Sequence, residues 1–232
     1  MKKRIIAAVL LAICSAFILI RYSINAVFVN GYHEGRYLDS TESRLLNVNF
    51  PQAWLPYYNL GNSAYQQGDY NKAILLYEEA LEQDPRHPAA CSIRVNLALA
   101  MLQKIDFEHD DSESIVNQLL AARAVLTEDG CAGETEPDGH SAEAEELKKN
   151  IDDMLQQMGG EGESGEDEES GESEEQEESE EGQSEQQDTS EREQQIQQQL
   201  EEMMQDNMEE RQDVQEWYSQ EGSYNQYNGK TW

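Results

Sequence analysis

Three cysteines and four histidines are the residues in this 232-residue chain whose types suit nucleophilic or metal chemistry. His33, His87, His109 and His140 are scattered, and none stands at the helical spacing that lets two imidazoles share one zinc ion. His109 lies among Asp106, Glu108, Asp110 and Asp111, oxygen donors that could weakly hold a cation but more commonly form a solvated acidic loop. No Gly-Lys phosphate loop and no nucleophile elbow occurs. Cys14 falls inside an apolar run, which leaves Cys91 and Cys131. Cys91 becomes a candidate nucleophile only if a distant histidine meets it in space, and pairing with Cys131 competes directly. The chain does not read as an enzyme, and neither a cofactor nor a metal is expected.

The elements that must position these residues begin with Lys2, Lys3 and Arg4, followed by an uninterrupted apolar run from Ile5 to Ile20. At about 1.5 Å per residue that run spans roughly 24 Å, short of the roughly 30 Å hydrocarbon core. Continuing through Val27, Phe28 and Val29 makes up the difference, with Arg21 snorkelling to the outer interface. Ile24-Asn25-Ala26 is a poor cleavage site, and Ile13 before Cys14 argues against a lipid-modified cysteine. The expectation is a retained anchor with its N-terminus in the cytoplasm and everything after Asn30 outside.

From Trp54 to His87 apolar and small residues recur at helical spacing. Tyr57, Leu60, Gly61, Ala64 and Tyr65 form one stripe, Gln67-Gly68-Asp69 the turn, and Ala73, Ile74, Tyr77, Ala80 and Leu81 the facing stripe, before Asp84-Pro85 ends the pair. One such hairpin cannot bury its apolar face alone, so stacked neighbours are expected. Ile93, Leu97, Ala98 and Met101, then Ile115, Leu119, Ala122 and Leu126, supply a degenerate second pair. Ala144, Leu147, Ile151, Met154, Leu155 and Met158 mark a closing amphipathic helix.

The net charge of −32 is concentrated between Gly159 and Glu193, where Glu, Ser, Gly and Gln leave almost nothing apolar to bury, so that stretch should be disordered. No basic face offers to displace the counterions of phosphates, which excludes nucleic acid as a partner. Beyond it, Ile196, Leu200, Met203, Met204, Met208, Val214, Trp217 and Tyr218 fall near one helical face. That face either docks on a partner or belongs to a marginal helix.

The 54 to 87 unit resembles the tetratricopeptide repeat, whose period is about 34 residues. Cys91-Ser92-Ile93-Arg94-Val95-Asn96-Leu97-Ala98-Leu99 with the later Asp129-Gly130-Cys131 is similar to membrane-anchored tetratricopeptide proteins that bacteria encode beside von Willebrand A-domain proteins and an AAA-type ATPase, in aerotolerance-type clusters. The resemblance implies an assembly or scaffolding factor and a membrane or exported protein, such as a von Willebrand A-domain protein, as partner. The expected fold is all-α: a short tetratricopeptide-like helical solenoid with an N-terminal transmembrane helix and a disordered acidic C-terminal tail. Its expected divisions are an anchor over 1–30, a linker or capping segment over 31–53, the helical domain over 54–158, an acidic linker over 159–193 and an amphipathic helix with polar tail over 194–232.

In a helical hairpin the start of the first helix and the end of the second share one end, and Cys91 and Cys131 occupy those positions. A disulfide there is expected outside the cytoplasm, with two unpaired, partly buried thiols as the alternative. Tyr57, Asn59, Asn62 and Tyr65, with Arg94 and Asn96, are the candidate groove residues. Asn side chains can hold a peptide backbone and aromatics supply apolar contact, although each also suits packing between helices. Two functions follow: a non-catalytic extracytoplasmic protein–protein interaction module or assembly scaffold, or an acidic brush that loosely binds cations.

Overall fold

The computed structural model describes residues 2–47, 50–107, 109–133, 141–158 and 194–201, and among them every regular element is helical. The first helix, α1, runs over Lys2–His33, long and apolar enough to cross a membrane by length and composition. It divides at Arg21. Lys2 to Ile20 stand exposed, roughly 28 Å of helix, close to the roughly 30 Å of a hydrocarbon core. Beyond that point the helix is half covered by the rest of the chain: Phe28 and Val29 are buried with Tyr32 against Tyr37 and Leu38. This corrects two expectations. Phe28 and Val29 do not lengthen a lipid-facing run, and Arg21 does not snorkel; it is buried, with Nη2 donating to the Gln52 carbonyl at 2.8 Å. The Gln52 carbonyl takes one donor of the guanidinium while Nη1 is buried without a hydrogen-bond partner, and Phe28 and Val29 leave solvent by packing on Tyr32, Tyr37 and Leu38.

A short helix, α2 (Asp39–Glu42), and a 3₁₀ turn (Ser43–Asn47) lead to the first hairpin, α3 (Leu55–Gln66) and α4 (Tyr70–Glu82). Pro56 sits in the first turn of α3, where its missing N–H is not needed. Gly68 at φ +75° makes the reversal that a Cβ would strain, and Asp69 caps α4 by accepting from Lys72 N at 3.2 Å. The small residues set the separation of the pair: Ala64, Ala73 and Ala80 are fully buried, and Tyr77 fills the space opposite Gly61.

Next come α5 (Ala89–Leu102), α6 (Ser112–Thr127) and, after a 3₁₀ turn (Glu128–Gly130), α7 (Ala142–Gln157). Each helix from α3 to α7 packs on the next, with α5 also touching α7. The larger of two apolar clusters among the described residues collects Ile93, Leu99, Leu102, Ile115, Leu119, Leu126, Leu147, Ile151 and Met154. Asp111 and Ser141 cap α6 and α7, accepting from Ser114 N and Ala144 N. Asp152 ties α7 to α6 through Arg123 and to its own preceding turn through Lys148. Ile196 and Leu200, one turn apart in the helical segment 194–201, are buried in the same core, and Gln157 bonds Gln199 at 3.2 Å.

Candidate interaction site

Polar residues on α3 look two ways. Asn59 faces back: its Nδ2 donates to Asn25 Oδ1 on α1 at 2.7 Å and to Glu42 Oε1 on α2 at 2.6 Å. Ser63, one turn on, donates to Asp39 Oδ1 at 2.5 Å. Asn62 faces forward: its Oδ1 accepts from Tyr77 Oη on α4 and from Asn96 Nδ2 on α5, each at 2.8 Å. Asn96 also donates to Tyr58 Oη at 3.1 Å. All four asparagines are buried, so each bond is an alternative to an unsatisfied polar group, which costs about 1–3 kcal/mol.

Glu42 is fully buried within this network, with Oε2 lacking a hydrogen-bond partner. Burial pushes its carboxyl up to about 7, although the Asn59 hydrogen bond and the nearby Arg21 charge pull the other way. The carboxylate form is thus poorly accommodated where α1, α2 and α3 meet.

The second hairpin is held at its open end. Cys91, in the first turn of α5, is joined to Cys131 with the two α-carbons 5.4 Å apart. One turn along α5, Arg94 is buried; its Nη2 donates to Asp129 Oδ2 at 2.5 Å, and its Nε lies 3.5 Å from Glu128 Oε2. The sulfur link and the ion pairs therefore fasten the same two segments.

With this geometry the comparisons with known proteins agree over one stretch. Residues 55–87 match the tetratricopeptide repeat model. The match covers α3, α4 and the turn after them, a unit that supports a protein–protein interaction module or scaffold. No curated protein and no solved structure matches the chain.

Within and beside that repeat, the six candidate groove residues are largely enclosed. Tyr57 is half-buried. Asn59, Asn62 and Asn96 lie in the network above, Arg94 in its ion pairs, and Tyr65 against Tyr70 in an edge contact with ring centres 5.4 Å apart. In this arrangement all but Tyr57 are buried and hold helices together. The large apolar side chains exposed to solvent are different ones, Leu75 on α4 within the repeat and Leu120 on α6 beyond it, 62% and 41% exposed. Their spacing had put them outside the apolar stripes, and composition alone gave no reason to single them out.

The acidic loop before α6 has local structural uses. Asp106 accepts from the His109 backbone and faces its Nδ1, Asp110 accepts from Gln118 Nε2 at 2.7 Å, and Asp111 caps α6; Glu108 lies outside the described residues. In the tail, Ile196 and Leu200 cover part of this chain's own core. Met203, Met204, Met208, Val214, Trp217, Tyr218 and the acidic stretch 159–193 lie outside the described residues.

Proposed function

We propose that this protein is a non-catalytic protein–protein interaction module or assembly scaffold, anchored in the bacterial membrane by α1 and working outside the cytoplasm. The observation that carries the reading is a matched tetratricopeptide repeat stacked into a helical core directly behind an exposed apolar helix. The basic residues Lys2, Lys3 and Arg4 before that helix favour a cytoplasmic N-terminus. A membrane or exported protein is the partner class, and a von Willebrand A-domain protein is the one the sequence resemblance points to.

Leu75 is the exposed large apolar side chain that the repeat as it stands offers a partner, with Tyr57 half-buried. Asn59, Asn62, Tyr65, Arg94 and Asn96 would enter a binding groove only if the segments now covering them gave way. Crosslinking in intact cells, followed by identification of captured proteins, tests the reading; capture of a discrete membrane or exported protein supports it. Protease added to intact protoplasts should digest the 54–158 domain, and protection of that domain would refute the orientation. The acidic composition of 159–193 favours the second reading, a charged brush. Deleting 159–232 separates them, since capture that survives the deletion belongs to the repeat.

A further inference from the structure

We propose that the turn carrying Phe50 rests on the headgroup boundary of the bilayer that α1 enters, with Phe50 and Tyr22 as its interfacial aromatic contacts. The proposal builds on the reading of α1 as a membrane anchor.

Two hydrogen bonds tie the segment before α3 to α1. Asn59 meets Asn25 in the 2.7 Å amide contact, and the Gln52 carbonyl meets the side chain of Arg21, about 6 Å nearer the exposed apolar end of the helix, at 2.8 Å. Glu42 meets the same Asn59 amide at 2.6 Å.

Phe50 stands two residues before Gln52 in this turn and is 74% exposed, the most exposed large apolar side chain of those recorded outside α1. Tyr22, beside Arg21 on α1, is 52% exposed. Two exposed aromatic residues thus adjoin, in sequence, the two partners of the Arg21–Gln52 contact, at whose arginine the exposed apolar run from Ile5 to Ile20 stops. Aromatic side chains at that depth are the usual occupants of the membrane–water interface, where an apolar ring leaves water without entering the acyl core. The bond from Arg21 to Gln52 also ties this turn directly to the end of the exposed span.

The test uses the full chain in phosphatidylcholine vesicles and an environment-sensitive thiol dye, applied without reductant. Three proteins are labelled: the native sequence at Cys14, and Phe50→Cys and Asn71→Cys in a Cys14→Ser background, Asn71 lying at the far end of the α3–α4 hairpin. Lipids carrying a nitroxide near the headgroup should quench most of the emission at position 50 and little at position 71. Nitroxides deep in the acyl chains should quench Cys14. Equal, weak quenching at 50 and 71 with Cys14 quenched would overturn the interfacial contact while leaving the anchor intact. Stronger quenching of position 50 by the deep nitroxide would also overturn it, by placing the turn in the acyl core. An unquenched Cys14 would remove the anchor and this proposal together.

Discussion

A β-carbon on Gly61 would fall 2.5 Å from Tyr77 Cε1 and 2.7 Å from Cδ1, so the ring of one helix occupies the space that any larger residue on the other would need. Tyr77 cannot readily yield, since it is 1% exposed and its hydroxyl is held by Asn62. Gly61→Ala should therefore destabilise the protein by about 1–3 kcal/mol of overpacking, offset by up to about 1 kcal/mol of helix propensity. Thermal unfolding of the single variant, and of the pair with Tyr77→Leu, measures it. Loss of stability that Tyr77→Leu does not partly relieve would place the clash elsewhere.

Removing the Asn62 side chain should cost more than removing the hydroxyl of Tyr77. Asn62→Ala removes the acceptor of both the Tyr77 hydroxyl and an Asn96 N–H, about 0.5–1.5 kcal/mol for each bond lost. Tyr77→Phe takes away one donor and leaves Asn62 still accepting from Asn96. Urea unfolding in detergent ranks the two, and equal costs would mean that Asn62 does not join the two hairpins.

Stability should fall as pH rises through the range set by Glu42. Its folded-state value of about 7 lies above the ordinary 4.5, so the folded protein holds this proton more tightly than the unfolded chain does. The slope of stability against pH is then negative between those values, with about 3 kcal/mol lost from below the ordinary value to above the raised one. Glu42→Gln should flatten that part of the profile. Melting temperatures recorded from pH 4 to pH 8 on both proteins check it, and identical profiles would show that Glu42 does not titrate where its burial implies.

Loss of the Cys91–Cys131 link should weaken the fold without preventing membrane insertion. It closes a loop across a sequence separation of 40, which the chain-entropy account values at about 4 kcal/mol. Non-reducing peptide mapping should recover the joined pair, and Cys91→Ser should unfold at lower denaturant. Arg94 should moderate the effect, because its ion pairs to Glu128 and Asp129 hold the same ends. Both thiols fully alkylatable in unreduced protein would sink the link.

Much of the architecture was legible in the sequence because it depends on local spacing. The turn at Gly68, the cap at Asp69 and the paired stripes from Leu60 to Leu81 are short-range features, and the helices fall where those features put them. The same holds for the apolar positions of α6, where Ile115, Leu119, Ala122 and Leu126 are fully buried at the spacing of a single face. The apolar run before Arg21 likewise fixed the presence of one helix able to span a membrane.

What only the tertiary structure decided was the fate of the polar residues between those stripes. An asparagine at a helical position reads the same whether it faces water or another amide, and Asn59 meets Asn25 at a separation of 34 residues, beyond any local pattern. A separation of 31 residues likewise hid the end of the exposed span. Arg21 looked like an interfacial charge because its neighbours are apolar, yet its partner is the carbonyl of Gln52, which only the return of the chain to α1 brings within reach. Local periodicity says which face of a helix is apolar. Which segment then covers the remaining faces depends on where the chain comes back, and burial of every unpaired polar group is too costly for that choice to be left open.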